Sequence, residues 1–241
     1  MKTWQRHPFG VEAFFRRSLV ITYAVPQSQL RGILGPGLTL DTYDDWGFVA
    51  IAMVQTAELR PRGFPRWLGR DFFLCGYRIF ARFVRPGQPT LRGLKILRSD
   101  TDRRSMVWLG NLFTHYRYHP AKVVFTTDDQ CFEVDVRSEG ADLTVRADLR
   151  IQELPPGSPF RSLADARRFA GPLPFTFSYD GDRDQMMVVK GVRTAWAPQP
   201  VHVEVQRSSF LEAFAGARLA NAFYVENVPY AWKPGVLEAV A

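Results

Sequence analysis

Short apolar runs and short polar segments alternate along most of the chain, and this pattern predicts a protein built mainly from strands. The apolar runs are rich in valine, isoleucine, phenylalanine and tyrosine, and proline, glycine or aspartate separates them. Such runs are typical of strands joined by turns. The predicted strands cover residues 14–25, 38–42, 46–57, 72–84, 91–99, 115–125, 131–137, 143–151, 175–179, 186–195, 201–206 and 223–225.

A few short helices interrupt the predicted strands. Pro26 suits the first turn of one helix. Asp100 or Thr101 is expected to cap a second helix, and a third is expected to begin at Ser162. The residues Ser-Phe-Leu-Glu from Ser209 onward predict a capping box for a last short helix. The buried stripe of the second helix is expected to consist of Met106, Leu109, Leu112 and Phe113.

This order of many strands and few helices predicts an α+β fold. We expect one domain over residues 1–241, because no low-complexity linker and no internal repeat divides the chain. The core is expected to be a closed, mainly antiparallel barrel with a few short flanking helices. The segment 59–71 contains two prolines and two glycines and is long enough to form a flap.

The length and composition predict a soluble protein that needs no cross-links. A chain of 241 residues buries about 70–75% of its unfolded surface, so a core alone can stabilise it. Cys75 and Cys131 lie in apolar, strand-like runs and are expected to be reduced thiols of a cytoplasmic protein. No apolar run approaches the roughly 18 residues of a membrane span, so we expect no membrane contact.

The net charge of +7 raises the question of anionic partners. Four of the arginines, Arg60, Arg62, Arg66 and Arg70, lie in the segment expected to form a flap. One interpretation is a solvated basic loop, and the alternative is contact with nucleic acid or another anionic surface. Nucleic-acid binding combines such a patch with aromatic stacking platforms or a groove-reading helix, and Trp67 alone is weak support for that. We therefore expect no nucleic-acid partner.

Three stretches of the chain resemble the acetoacetate decarboxylase-like proteins. The first covers residues 21–54, where a strand, a helix started by proline and a Pro-Gly-Leu turn precede an extended strand. The second runs from residue 94 to residue 116, and the third, at 188–205, reads VVKGVRTAWAPQPVHVEV. Together they resemble the uncharacterised YqjF-like branch of that superfamily. The resemblance covers nearly the whole chain and implies a cone-shaped antiparallel barrel with a central cavity.

The same resemblance argues against acetoacetate decarboxylation. The decarboxylases carry a reactive lysine beside a second lysine at a position that falls within residues 116–118, which read Tyr-Arg-Tyr here. Their pocket glutamate falls near Phe73 and Leu74 and is also missing. An arginine early in the first strand is retained, as Arg16 or Arg17. We therefore expect a relative that lacks the decarboxylase lysine pair.

Lys95 is the candidate catalytic residue. Strict alternation along its strand places it on one face with Leu97 and Ser99. If this face lines an apolar cavity, burial lowers the pKa of the amine, which can then attack a carbonyl group. The alternative is a solvated lysine on the outside of the barrel.

His115, Arg117 and His119 are candidate ligand-binding residues. They share a face if residues 115–119 form a strand, and Arg117 would then be a bidentate clamp for a carboxylate. Exposure on the surface is the alternative. The two histidines have the spacing of a metal pair only on a helix, and no clear third ligand follows, so we expect no metal.

Glu204 is a further candidate, because it shares a strand face with His202. A buried carboxylate needs a cationic partner, so a Glu204 inside the barrel predicts Arg16, Arg78 or Arg117 beside it. The alternative is a solvated alternating strand. Four tryptophans either line a ligand pocket or fill the core, namely Trp46, Trp108, Trp196 and Trp232.

The favoured hypothesis is a barrel that binds a small carboxylate- or carbonyl-bearing organic molecule in a central cavity. An enzymatic activity would be lyase-like or another carbonyl chemistry without the lysine pair. The alternatives are a non-catalytic binding or interaction protein, and a basic accessory protein that acts through residues 60–70. No phosphate-binding loop or paired-cysteine motif indicates a cofactor, so none is expected, and a homo-oligomer is left open.

Overall fold

The computed structural model describes residues 3–85, 87–171 and 173–240. Three α-helices cover Gln27–Leu34 (α1), Arg104–Phe113 (α2) and Leu163–Ala170 (α3), and short 3-10 helices cover Thr3–Gln5, Arg66–Leu68 and Ser209–Ala213. The strands are β1 Val11–Pro26, β2 Leu38–Leu40, β3 Trp46–Pro61, β4 Arg70–Phe83, β5 Leu91–Thr101, β6 Tyr118–Pro120, β7 Lys122–Thr127, β8 Cys131–Arg137, β9 Leu143–Asp148, β10 Phe175–Asp180, β11 Gln185–Arg193, β12 Gln199–Pro200, β13 His202–Ser208, β14 Arg218–Trp232 and β15 Val236–Ala239.

The larger of two sheets is ring-like. Its strands follow the order β14-β1-β3-β4-β5-β10-β11, and β11 pairs again with β14 through Gly191, Val192 and Arg193. The pairs β5–β10 and β5–β6 are parallel, and the other pairs of this sheet are antiparallel. The prediction of a mainly antiparallel α+β fold with a few short helices is therefore confirmed.

The second sheet covers the outer face of this ring. It has the order β13-β9-β8-β7, and its apolar side packs into the largest hydrophobic core. On β3, Val49, Ile51 and Met53 belong to this core, whereas Ala50 and Ala52 face the inside of the ring. Because β3 is buried on both faces, its sequence is an almost continuous apolar run rather than an alternating one.

A bulge in β5 changes which side chains face the inside of the ring. Arg78 of β4 pairs with Ile96, but Tyr77 pairs with Arg98, so β5 has one additional residue at Leu97. An additional residue reverses the alternation beyond it. Leu94, Ile96 and Ser99 consequently face inward, and Lys95 lies on the opposite face from Ser99. The expectation that Lys95 and Ser99 share a face was wrong.

The predicted strand 115–125 is divided. Arg117 has a left-handed backbone with φ of 53°, and its carbonyl oxygen accepts a hydrogen bond from the Ser99 N–H at 3.1 Å. β6 begins only after this residue, and β7 begins at Lys122. Because the positive φ interrupts the two-residue alternation, His115, Arg117 and His119 do not share one strand face. That expectation was also wrong.

Two predicted helix caps are absent and one is present. α2 begins after Arg103 without a side-chain cap, because Asp100 and Thr101 are still paired within β5. The predicted capping box forms only a 3-10 turn, where the Ser209 Oγ accepts a hydrogen bond from the Asp142 N–H at 2.8 Å. At Ser209 a tertiary partner takes the group that the cap would need, whereas Asp100 and Thr101 lie in β5 rather than at the start of the helix. Ser162 caps α3 as predicted.

Both cysteines are free thiols. Cys75 is buried in β4, and Cys131 is half-buried at the start of β8. No helix in the described part of the chain is long and apolar enough to cross a membrane.

Candidate functional site

A cavity of about 310 Å³ lies inside the ring-like sheet. Alternate side chains of β1, β3, β4 and β5 form most of its wall, and α2 closes one side with Met106, Leu109 and Phe113. Gly110 of α2 has no side chain, and a Cβ there would collide with the ring of Tyr118. This glycine therefore lets β6 approach the helix closely. Most of the wall is apolar, which is typical of small-molecule sites.

Arg78 is one of four arginines that line the cavity, together with Arg60, Arg70 and Arg193. It projects inward from β4, and its guanidinium group folds back over Gly76, where a Cβ would lie 2.9 Å from Nη2. Its Nε is buried and has no hydrogen-bond partner within the described residues. A buried donor without a partner is uncommon in folded proteins, so this group is available for a ligand.

Arg193, the last residue of β11, is another of these arginines. Its guanidinium carbon lies 4.6 Å from the ring centre of Trp196 and 5.4 Å from that of Tyr230. Burial lowers the pKa of Arg193; Tyr230 opposes this change, and the positive charge of Arg78 adds to it. The two guanidinium groups therefore lie close enough to repel each other.

The cavity wall contains no acidic side chain to balance these cations, as far as the chain is described. Neither Arg78 nor Arg193 forms an ion pair with a described carboxylate. Arg60, at the mouth of the cavity, does form ion pairs, because carboxylate oxygens of Glu12 and Glu58 lie 3.3 Å and 3.6 Å from its guanidinium nitrogens. A concave, largely apolar cavity with unpaired positive charges attracts anions strongly.

Two tyrosines add hydrogen-bonding groups to the wall. The Tyr116 hydroxyl lies 2.7 Å from the Thr176 Oγ1, and both residues line the cavity. Burial raises the pKa of Tyr116 well above its ordinary value and that of Tyr118 to about 12, although Arg78 opposes both changes. Both phenols therefore stay protonated near neutral pH and can donate hydrogen bonds.

Three more buried polar atoms belong to residues of the wall. They are the hydroxyls of Ser18 and Thr56 and the indole N–H of Trp196, and none has a hydrogen-bond partner among the residues described. Ser18 lies opposite Val54 in the pairing of β1 with β3, and Thr56 is two residues further along β3. The wall residues therefore carry hydrogen-bonding capacity that no described group uses.

The mouth of the cavity is bordered by the segment predicted to form a flap. Pro61 and Leu68 line it from that side, and Phe9 lies opposite with its ring 5.2 Å from that of Phe113. Trp67, in the same segment, is 80% exposed and does not line the cavity. The segment borders the mouth but is not a wall of the inner cavity.

His7 is held in a conformation that non-glycine residues rarely adopt. Its φ is 49°, its N–H donates to the Phe113 carbonyl at 3.0 Å, and its own carbonyl accepts from the Gly235 N–H at 2.9 Å. Burial lowers its pKa to about 3 and that of the neighbouring His115 to about 4. Both rings are neutral near pH 7. No group of three or more metal-ligating side chains occurs in the described ranges.

Lys95 does not line this cavity. Its neighbours Leu94 and Ile96 do, and the Lys95 Nζ donates a hydrogen bond to the Leu34 carbonyl on the other side of β5. Burial and then the charge of Arg117 lower the pKa of Lys95. Lys95 and Arg117 also lower the pKa of His115, so three of the sequence candidates form a cluster behind the wall.

The other candidates are spread over the molecule. Arg78 lines the cavity, whereas Arg16 is exposed and pairs with Asp71 at 2.9 Å. Arg117 is exposed, and the His119 Nδ1 lies 3.8 Å from a carboxylate oxygen of Asp100.

Glu204 is exposed on the second sheet, opposite Arg146. The arginine partner expected for a buried Glu204 is therefore not there, because β13 belongs to the sheet outside the ring. Of the four tryptophans, Trp196 and Trp232 line the cavity, Trp108 is 67% exposed, and Trp46 lies under the guanidinium of Arg218.

The sequence candidates did not include Arg193, Tyr116, Tyr118, Ser18 or Thr56. The two tyrosines alternate with His115, Arg117 and His119, which were named as candidates. Choosing the opposite face of the predicted strand would have selected the tyrosines. No local sequence pattern marked Arg193 as a site residue, because it reaches the cavity wall only through the pairing of β11 with β14 at Tyr230.

Residues 12–235 match DUF2071, an uncharacterized conserved protein family. The chain belongs to the DUF2071 family. A comparison with curated proteins gave no match. The family carries no assigned activity in this description, so the cavity is the basis for a functional proposal.

Solved structures share the fold of this DUF2071 protein. Acetoacetate decarboxylase from Legionella pneumophila has a TM-score of 0.67 and 12% identity, over 99% of this chain and 90% of its own. An acetoacetate decarboxylase-like enzyme from Sphingomonas wittichii RW1 has a TM-score of 0.62 and 13% identity, over 96% and 92%. The enduracididine biosynthesis enzyme MppR complexed with pyruvate has a TM-score of 0.62 and 10% identity, over 97% and 91%.

The resemblance stated above placed the decarboxylase lysines at residues 116–118. In this DUF2071 protein, Tyr116 and Tyr118 line the cavity and Arg117 is exposed. No lysine is among the described residues that line the cavity. The wall therefore offers guanidinium and phenol groups where an amine would be needed to form an imine.

Proposed function

We propose that this DUF2071 protein binds a small organic anion, a carboxylate-bearing molecule, in the cavity inside its ring-like sheet. The observation that carries the proposal is the pair of guanidinium groups of Arg78 and Arg193, which lie in a largely apolar cavity without an acidic partner among the described residues.

The physical argument starts from the cost of burying charge. A half-buried cation without a counter-ion is destabilising, and two cations close together are more so. A carboxylate removes both penalties, because it neutralises charge and can accept two parallel N–H bonds from one guanidinium group. The Tyr116 hydroxyl, held beside Thr176, supplies a further donor. The apolar wall then contacts the remainder of the ligand.

The same groups define the chemistry that an enzymatic role would use. Buried guanidinium and phenol donors stabilise negative charge that develops on a carbonyl oxygen. A lyase-like or other carbonyl reaction would therefore proceed through a stabilised oxyanion rather than through an imine in this cavity. A non-catalytic binding protein would use the same residues for affinity alone, and turnover of a bound ligand separates the two.

Calorimetric titration tests the binding proposal. The ligands are carboxylates and the matching neutral amides, and the proteins are the parent chain and the variants Arg78→Met and Arg193→Met. We expect the carboxylates to bind, the amides to bind much more weakly, and both variants to lose the preference. Arg16→Met is the control, because Arg16 is exposed and pairs outside the cavity. Equal binding of acids and amides would contradict the proposal.

A second candidate function is contact with an anionic surface through Arg60–Arg70. The exposure of Trp67 and of the side chains of Arg62 and Arg66, at 76% and 79%, favours it. Against it, Glu12 and Glu58 lie within 4 Å of three of the loop arginines and offset much of their charge. Binding to nucleic acid or to anionic vesicles that survives physiological salt would support this candidate. We favour the cavity.

A further inference from the structure

We infer that the ligand is an amphipathic monocarboxylate with an apolar body of about eight to ten carbons, whose carboxylate lies at Arg78 and Arg193 and whose body points toward the mouth. This inference rests on the proposed function. It adds the size and orientation of the ligand, which follow from the depth of the arginines in the cavity.

Positions along β3 give the depth of Arg78 in the cavity. Ala50, Ala52, Val54 and Thr56 all face the cavity, and each is two residues further toward the mouth at Pro61. Arg78 pairs with Ala50, but its guanidinium folds over Gly76, which pairs with Ala52. The guanidinium of Arg78 is therefore at the level of Ala52.

From this level to the mouth, the wall is mainly apolar. Thr56 is four positions further along β3 than Ala52, which corresponds to about 13 Å at about 3.3 Å per residue. The side chains around this span are buried and belong to one hydrophobic cluster; among them are Phe15, Val54, Phe72, Leu74 and Met106. An extended alkyl chain of about eight to ten carbons covers the span, since a carbon–carbon bond measures about 1.5 Å.

The volume of the cavity is consistent with this size. About 310 Å³ is many times the roughly 10–15 Å³ that one water molecule needs on the same measure, so the cavity has room for a molecule of this size. A short ligand would leave the mouthward part to water, which finds few polar partners against apolar walls.

On the other side of the arginines, Phe80, Ala170 and Leu173 also line the cavity, and they are packed with Phe48 and Phe160 in a separate hydrophobic cluster. Buried side chains bound that end, whereas Leu68 on the Pro61 side is 43% exposed. The inferred ligand body extends toward Pro61 and Leu68, where the wall opens.

The experiment is a titration of the parent protein with straight-chain monocarboxylates from acetate to hexadecanoate. Trp196 and Trp232 line the cavity, so their fluorescence reports binding, and calorimetry gives the affinity. We expect the affinity to rise about threefold to fourfold for each added methylene until about C8 to C10, and then to level off. Short keto acids that bind at least as tightly as octanoate, with the same dependence on Arg78, would overturn the inference and leave the proposed function intact. Failure of every carboxylate to bind would overturn the proposed function itself.

Two variants change the mouthward half in opposite directions. Val54→Phe fills it and should remove binding of the longer acids while butyrate still binds. Leu74→Ala enlarges it and should move the optimum to longer chains by about two or three carbons. If Val54→Phe does not fold, the enlarging variant alone decides. An unchanged optimum in a folded variant would contradict the inferred position of the ligand body.

Discussion

Replacing Arg78 with methionine tests whether this arginine is a ligand-binding group or a structural one. Methionine keeps an unbranched apolar side chain in the wall and removes only the guanidinium. Arg78 has no acidic partner among the described residues, and its Nε has no hydrogen-bond partner there. Removing it therefore breaks no described ion pair and relieves the repulsion with Arg193, whose pKa Arg78 lowers.

The expected effects have opposite signs for stability and for binding. An unpaired ion that is fully buried costs several kcal/mol, and Arg78 is only half-buried, so we expect a gain in the free energy of unfolding of about 1 kcal/mol. For a chain of this size, that raises Tm by about 2–4 °C. Loss of a bidentate contact with a carboxylate should cost about 2–4 kcal/mol of binding free energy, or about 30-fold to 1000-fold in Kd.

Thermal unfolding followed by fluorescence, with and without octanoate, measures both effects in one assay. The parent should be stabilised by the ligand and Arg78→Met should not, although the variant without ligand melts at the same temperature or higher. Arg16→Met should behave like the parent in both respects. A marked decrease in the Tm of Arg78→Met, or an unchanged response to ligand, would refute the reasoning.

The remaining predictions concern pH, a buried carboxylate and the candidate nucleophile. Because burial lowers the pKa of His7 to about 3 and that of His115 to about 4, the unfolded chain binds protons near pH 6.5 that the folded chain does not. The free energy of unfolding is then unaffected by these two histidines above pH 6.5 and falls by about 2–3 kcal/mol for each of them by pH 4.5, which urea unfolding would measure. The variant His115→Phe should show a smaller decrease between these pH values. An equal decrease in that variant would contradict the lowered pKa of His115. Asp41 is fully buried and accepts hydrogen bonds from Arg82 at 2.6 Å and from Arg92 at 2.7 Å. Asp41→Asn should therefore lower Tm by several degrees while octanoate still binds. An unchanged Tm would mean that these two ion pairs add no stability. Since Lys95 lies behind the cavity wall, borohydride with a panel of keto acids should trap no adduct at this residue; an adduct lost in Lys95→Ala would restore its catalytic role.

Prediction of the fold from the sequence succeeded where secondary structure is local. The strand β8 and the cap of α3 at Ser162 agree with the sequence pattern. β14 shows the limit, because the pattern predicted a strand only at residues 223–225, whereas the structure extends it over fifteen residues. Asn221, Glu226 and Pro229 interrupt the apolar run, and pairing with β1 over most of its length stabilises the strand regardless.

The candidate site was predicted less completely than the fold. Arg78 was named from the sequence and does line the cavity. Lys95 was named by the same alternation rule, but the additional residue at Leu97 reverses the alternation along β5. Tyr116 and Tyr118 were passed over for the residues between them, because the left-handed backbone of Arg117 cannot be read from an Arg-Tyr pair.

The sequence by itself determined that the chain forms many strands and few helices, that these belong to an acetoacetate decarboxylase-like fold, and that no lysine stands at residues 116–118. These are properties of local pattern and of residue identity. The tertiary structure alone decided which face of each strand is inside the ring. Alternation defines two faces without saying which one is enclosed, and a single additional residue exchanges them. The second sheet covers one face and leaves the other to the cavity, so Arg78 and Arg193 line the cavity while Lys95 and Glu204 do not.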